Sequence, residues 1–226
     1  MLDFGFYNMD CMDGMRQFPD KFFDLAIVDP VYGDVTRGGY MTNIDSTEKL
    51  AKPIQYHLSL WNQKKTGQEY FDELFRVSKN QIVWGGNYFV EAINKNSQGW
   101  IVWDKENTGR FADAELAYTS FNRATRIFRF MWNGMLQGDM KSKEKRIHPT
   151  QKPVRLYEWI LQNYSKDGDT ILDTHVGSAS SLIACHRLKR KYVGFELDET
   201  YFKLAQERLT AETAQMDIFD WMEARS

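Results

Sequence analysis

The stretch that decides the fold is DTILDTHVGSAS, Asp169–Ser180, followed at once by the apolar run SLIACHRL. A short, wholly apolar strand ends in Asp173. A turn carrying Gly177 then opens a helix with Ser178, Ala179 and Ser180 near its start. Glycine lets backbone approach a ligand closely, and a helix N-terminus offers it unpaired N–H groups. The next apolar run, KYVGFELD, ends in Glu196, 23 residues beyond Asp173. An acid at that distance is placed to accept hydrogen bonds from ribose hydroxyls. Read alone, this is a weak nucleotide-binding pattern, and a tight strand–helix turn without a ligand is the plain alternative.

Working outward, the runs DLAIVD, GWIVWD, TILD and KYVGFE are nearly all apolar and each ends on an acid. Continuous apolar character predicts strands buried on both faces, and acids at their carboxyl ends lie where open α/β sheets bind ligands. Strands are expected at Phe4–Met9, Leu25–Asp29, Gln81–Trp84, Trp100–Trp103, Glu115–Phe121, Arg126–Trp132, Thr170–Asp173 and Tyr192–Glu196. Helical spacing appears in GQEYFDELFRVS, VRLYEWILQNY and DETYFKLAQERL, the last with Asp198 as N-cap. The expectation is a mostly parallel α/β sheet in a single domain spanning 1–226, with long aperiodic connections at Gly33–Gly67 and Asn133–Thr150.

Composition narrows the class further. The 226 residues are 42% hydrophobic and 27% charged, which is globular usage. No apolar run approaches the ~18 residues of a membrane span. Two cysteines, Cys11 and Cys185, give no disulfide framework, so a cytoplasmic location is expected, with no membrane partner. The scattered histidines suggest no metal site. From Arg123 to Arg155, nine basic residues face only Asp139 and Glu144, a basic stretch inside a chain of net charge −2. Such asymmetry suits a polyanion-facing surface or a solvated basic loop.

A second informative stretch is DLAIVDPVYG, Asp24–Gly33. Asp29 ends a buried strand, Pro30 stops the ladder, and Tyr32 follows. A carboxylate, a freed carbonyl and an aromatic plane at one strand end suit a planar amine, with two acceptors for its hydrogens and a face to stack on. A third stretch, HPTQKP (His148–Pro153), opens the Val154 helix.

Together these three stretches resemble the amino-methylating DNA methyltransferases, which modify adenine N6 or cytosine N4 with S-adenosylmethionine. Asp29-Pro30-Val31-Tyr32 is similar to their catalytic tetrapeptide, Leu172–Ser178 to their cofactor loop, and His148–Pro153 to the motif preceding it. WNGMLQGDM and KRIHPTQKP look most like small phage and prophage members. The resemblance implies a Rossmann-like methyltransferase sheet, mostly parallel with a C-terminal-half hairpin. The motif order, tetrapeptide before cofactor loop, implies the circularly permuted beta arrangement, in which FGFYNMD supplies the third strand of the cofactor half.

The resemblance implies catalysis by Asp29, Pro30 and Tyr32. It implies cofactor contacts at Asp10, Cys11, His148, Thr150, Lys152, Asp173, His175, Gly177, Ser178 and Glu196. For Asp10, an ordinary strand-end acid capping the next turn is the alternative reading. The expected partner is double-stranded DNA, touched by loops at about 33–67 (Arg37, Lys49, Lys52, Lys64, Lys65) and 133–147; a homodimer and a restriction endonuclease partner stay open. Aspartate at position 29 favours adenine over cytosine, with RNA or protein amines a further alternative. Two departures stand out. Val31 replaces a second proline, and a weakened, non-catalytic relative is the reading this leaves open. Ala179 stands where a small residue, often glycine, is usual, and is tolerated unless φ is positive there. No Pro-Cys nucleophile for C5 methylation occurs. The segment where this family carries its target-recognition element, Asn133–Lys145, is very short. A short or loosely read DNA site is therefore expected; methylome sequencing that returned a long unique site would contradict this.

Overall fold

A computed structural model describes residues 1–33, 65–106, 112–133 and 136–223, with side chains to 214. In chain order the elements are β1 (Gly5–Asn8), α1 (Cys11–Met15), β2 (Phe23–Val28), α2 (Gln68–Val77), β3 (Ser78–Trp84), a 3-10 turn (Gly86–Tyr88) and α3 (Val90–Ile93). There follow β4 (Trp100–Asp104), β5 (Ala114–Thr119), β6 (Arg126–Arg129), β7 (Trp132–Asn133), β8 (Leu136–Gln137), α4 (Val154–Tyr164), β9 (Thr170–Asp173), α5 (Ser180–Arg187), β10 (Lys191–Glu196) and α6 (Glu199–Glu223).

Eight strands form one sheet in the order β1-β10-β9-β2-β3-β5-β4-β6. From β1 to β3 every pairing is parallel; β5 runs antiparallel to both β3 and β4, and β6 is parallel to β4. Strand β2 shows why the apolar runs were needed. Leu25 and Ile27 pack into one core with Ile82, Trp84, Leu156, Ile160 and Leu182, whereas Ala26 and Val28 pack into another with Phe71, Leu74, Val83 and Phe195. Alternate residues face opposite sides, so a strand covered by helices on both must be apolar throughout.

From β9 the chain leaves through α5 towards β10, and from β2 through α2 towards β3, in opposite directions. The carboxyl ends of β9 and β2 therefore flank a topological switch point, where such sheets hold ligands.

Some boundaries differ from expectation. The run Arg126–Trp132 is not one strand. It breaks after Arg129, and Trp132 pairs with Gln137 in a two-stranded ribbon inside the supposedly aperiodic 133–150 segment. The Trp132 indole donates to the Gln151 carbonyl at 2.9 Å, and Gly138 N–H to the Met131 carbonyl at 2.8 Å, which turns the chain off the sheet. Short α1 and α3 carry too few residues to show a helical period. Among the described residues no helix is long and apolar enough to cross a membrane.

Close packing sets one strict demand. A Cβ on Gly14 of α1 would stand 2.4 Å from Cζ of Phe195, which is fully buried in β10 and has no free direction to move. Gly14→Ala is expected to cost about 1–3 kcal/mol through overpacking, despite the better helix propensity of alanine. Urea unfolding measures it, and a stabilised variant would show the packing to be looser than this.

Candidate active site

Asp29 follows the last residue of β2, and its carboxylate holds two partners. Tyr32 Oη donates to Oδ1, and the Lys152 ammonium donates to Oδ2. The Tyr32 ring lies against Tyr88 and Phe89, with centroids 5.1 and 5.8 Å away. Its other neighbour is Gly85, where φ is +62° and a Cβ would sit 2.3 Å from the ring. Only glycine meets both conditions. The Val31 carbonyl accepts from Thr66 N–H at 3.0 Å, which joins the tetrapeptide to the chain just before α2.

Lys152 does not belong to the exposed basic stretch. Its side chain is 4% exposed, and it sits between Asp29 and Glu115 of β5, with Glu115 Oε2 at 3.3 Å. Lys105, just past β4, reaches Glu115 Oε1 at 2.5 Å. Carboxylates and ammoniums thus alternate in a row. Burial works against charge on Glu115, but Lys152 and Lys105 outweigh it and hold the carboxyl below its usual range. Burial likewise works against the Lys152 ammonium, yet Asp29 and Glu115 hold its pKa above the ordinary lysine value. Arg146 is half-buried over the Trp132 ring, whereas the other seven members of the basic stretch, Arg123, Arg126, Arg129, Lys141, Lys143, Lys145 and Arg155, are exposed. Of the loop lysines and arginine expected to touch DNA, Arg37, Lys49, Lys52 and Lys64 lie outside the described residues.

At the neighbouring strand ends, β9, β10 and β1 bring Asp173, Glu196 and Asp10 together with the Gly177 turn. Asp173 is buried; it accepts from His175 N–H at 3.0 Å and from the Ser181 hydroxyl. Burial dominates, so its pKa is raised to about 7. Glu196 Oε2 accepts from Gly177 N–H at 2.9 Å, and Oε1 from Asp198 N–H at 2.9 Å. Each carboxylate oxygen carries two lone pairs, so these contacts orient both acids without exhausting them. Gly177 adopts φ +57°, and a Cβ there would touch the His148 ring at 3.5 Å. The HPTQKP segment therefore lies directly on the turn: His148 is buried, packs against Tyr201 and bonds Thr150 through Nδ1. Thr150 itself is exposed. Ser178 is buried, with its hydroxyl 3.0 Å from that of Ser180. His175 Nδ1 bonds the Thr174 hydroxyl at 2.9 Å, and that hydroxyl lies 2.5 Å from the Tyr70 hydroxyl. Desolvation lowers the pKa of both His148 and His175 to about 4, so both rings are neutral near pH 7.

Asp10 accepts from Met12 N–H at 2.7 Å and so caps α1, with half-buried Cys11 beside it. The capping geometry is met; it leaves the second oxygen of Asp10 to serve otherwise. Ala179 takes φ +61°, the condition under which alanine is strained, at roughly 1 kcal/mol or more. Its methyl is fully buried in the core, which offsets part of that.

Glu115, Lys105 and Gly85 escaped the sequence reading. Gly85 could have been found from QIVWGG, a buried run ending in two glycines parallel to the Asp29 strand. Glu115 and Lys105 offered no local signal, because their meaning depends on Lys152 reaching them from a distant segment.

Several known proteins are similar to this chain. The family described as DNA methylase, N6_N4_Mtase, matches residues 23–207. The type II methyltransferase M.HpaI of Haemophilus parainfluenzae is 38% identical over 79 residues, 35% of this chain and 25% of that one. The match spans less than a third of the length of M.HpaI and of the type II methyltransferase M2.DpnII of Streptococcus pneumoniae. The M1.HpyAVI–SAM complex superposes with a TM-score of 0.56 at 19% identity, covering 90% of this chain and 98% of that one. The cytosine-N4-specific PvuII DNA methyltransferase does so with 0.58 at 12%, covering 93% and 91%. At such identities the likeness of these two structures is one of fold.

The Asp173 environment has a measurable consequence. Its folded-state pKa lies above that of the unfolded chain, so the folded form keeps the proton longer. Its contribution to stability is full at low pH and is lost as pH rises through about 7. His148 and His175 slope the other way, so the test is a comparison. Asp173→Asn should remove a downward component from the stability profile between about pH 5 and pH 7. Urea unfolding across that range measures it, and parallel profiles would refute the assignment.

Proposed function

The chain belongs to the N6/N4 DNA methylase family, and from that premise we propose that it transfers a methyl group from S-adenosylmethionine to the exocyclic amine of a base flipped out of DNA, adenine N6 in the first instance. The observation that carries the reading is the juxtaposition at the switch point: the Asp29-Pro30-Val31-Tyr32 turn stands at the end of β2, immediately beside the Asp173–Gly177 turn at the end of β9.

The acids at the ends of β1, β9 and β10 fit the cofactor's chemistry. Glu196 and Asp10 offer acceptors to ribose hydroxyls and base N–H groups, Asp173 and the His175–Gly177 turn a setting for the amino-acid part, and His148, Thr150 and Ser178 complete the wall. When bound, the cofactor supplies an electrophilic methyl group on a sulfonium.

An aromatic amine is a poor nucleophile because its lone pair is delocalised into the ring. Asp29 and the Pro30 carbonyl would each hold one amine hydrogen, drawing the nitrogen towards tetrahedral geometry and freeing the lone pair. Asp29 also stabilises the positive charge that develops on nitrogen. Tyr32, once off Asp29, offers its ring to the flipped base and offsets part of the few kcal/mol that flipping costs. Tyr88, 41% exposed beside it, extends that aromatic surface. Exposed Arg126, Arg129, Lys141, Lys143 and Lys145 are available to phosphates.

We read the 226 residues as one domain with double-stranded DNA contacted by loops at about 33–67 and 133–147. The opening strand supports a permuted arrangement, since β1 pairs with β10 in parallel at the edge of the cofactor half. Cytosine N4 is the second reading, since the family that matches takes in both amines.

Incubation with labelled S-adenosylmethionine and unmethylated DNA, then nucleoside digestion and mass spectrometry, tests the proposal. N6-methyladenine is expected, with a loss of at least about 10²–10³-fold in Asp29→Ala. N4-methylcytosine would change the base only. No methylated nucleoside from wild-type protein would refute the function.

A further inference from the structure

Both oxygens of the acceptor that must receive the substrate amine already hold a partner. Tyr32 takes one oxygen of Asp29 and the Lys152 ammonium the other. An amine entering the site needs that carboxylate, and an acceptor bound to an ammonium is a weaker acceptor for anything else. Tyr32 is only part-buried, and its ring lies against the exposed Tyr88. Lys152, by contrast, is buried, and a buried ammonium does not leave one carboxylate unless another receives it.

Glu115 is that second carboxylate. Its Oε2 stands 3.3 Å from the Lys152 nitrogen, inside ion-pair range but longer than a close charge-assisted hydrogen bond. Its other oxygen is anchored by Lys105 at 2.5 Å. Strand pairing fixes its backbone, with Glu115 opposite Trp103 in β4. The Trp84 ring, 5.3 Å from the ammonium, lines the path. A short movement of one nitrogen, from Asp29 towards Glu115, thus exchanges one good ion pair for another and leaves the row of charges neutral.

We propose that Glu115 is a positioning residue for amine methylation: it draws the Lys152 ammonium away from Asp29 as the target base enters, so that Asp29 becomes free to accept the amine hydrogen. Lys105 serves by keeping Glu115 ionised and aimed. In the absence of a base, Lys152 and Tyr32 close the site on themselves. The inference rests on the reading of the site as one for amine methylation.

Glu115→Gln keeps the shape and removes the charge. The expected result is a fall in kcat of about tenfold or more, within the ~10²-fold that misplacing a reacting group costs. KM for DNA and Kd for S-adenosylmethionine should stay within about twofold, because the proposed role gives Glu115 no contact with either. Glu115→Asp should recover a large part of kcat, since it restores the charge. A residue serving packing alone would show the reverse: equal losses for both variants, shared among kcat, KM and thermal stability. Unchanged kcat in Glu115→Gln, or no recovery in Glu115→Asp, overturns the proposal. Wild-type protein inert on DNA would instead remove the reading of the site on which it rests.

Discussion

A buried ammonium must be paired with a carboxylate or it costs the fold several kcal/mol. Lys152 meets that condition by binding Asp29 and Glu115 at once, and in doing so it joins three distant parts of the chain. Asp29 lies 123 residues away in sequence. The segment after β8, the end of β2 and the antiparallel strand β5 therefore cannot shift independently. The His148–Pro153 segment is held against the Gly177 turn by the same constraint, since His148 lies on that turn four residues before Lys152. The proposed catalytic end of β2 and the proposed cofactor end of β9 are thereby set in one geometry.

A second framework supports the first. Glu196 ties β10 to the Gly177 turn, and Asp173 ties β9 to the start of α5 through Ser181. Arg208 of α6 holds the Ser178 carbonyl at 2.7 Å and the Ser180 hydroxyl at 2.9 Å, while its other nitrogen pairs with Glu144 at 2.6 Å. Glu144 in turn caps α4 at Val154 N–H, and its backbone pairs with the Gln137 side chain. The short ribbon of β7 and β8, beside the exposed basic residues, is thus linked by hydrogen bonds to the turn proposed to hold the cofactor. Most of these acids use their oxygens first to fix backbone, and the lone pairs left over are what a ligand would meet.

Much of this was legible in the chain. Buried strands with acids at their ends announce themselves, because a strand covered on both faces must be apolar throughout and a terminal acid is the point where it emerges. Thr170–Asp173 and Val154–Tyr164 fall where the pattern puts them. The tetrapeptide and the Gly177 turn were visible for a related reason: proline and glycine fix local backbone, and local backbone is what sequence encodes most directly. Strand Arg126–Trp132 was misread because its break is imposed by contacts from Gln151 and Gly138, which no pattern within the run records.

Sequence by itself determined most of the sheet's strands and the longer helices, the sheet class, the family and the motifs that form the two turns, since these follow from periodicity, backbone permission and short-range motifs. Tertiary structure decided what those residues hold. It placed Lys152 in a buried ion pair with Asp29 rather than on the basic surface, put the Tyr32 hydroxyl on the same carboxylate, gave Ala179 a positive φ and brought Glu115 and Lys105 into the site. The reason is physical: the charge state and partner of a buried side chain depend on what is packed around it, and those neighbours come from segments far apart in the chain.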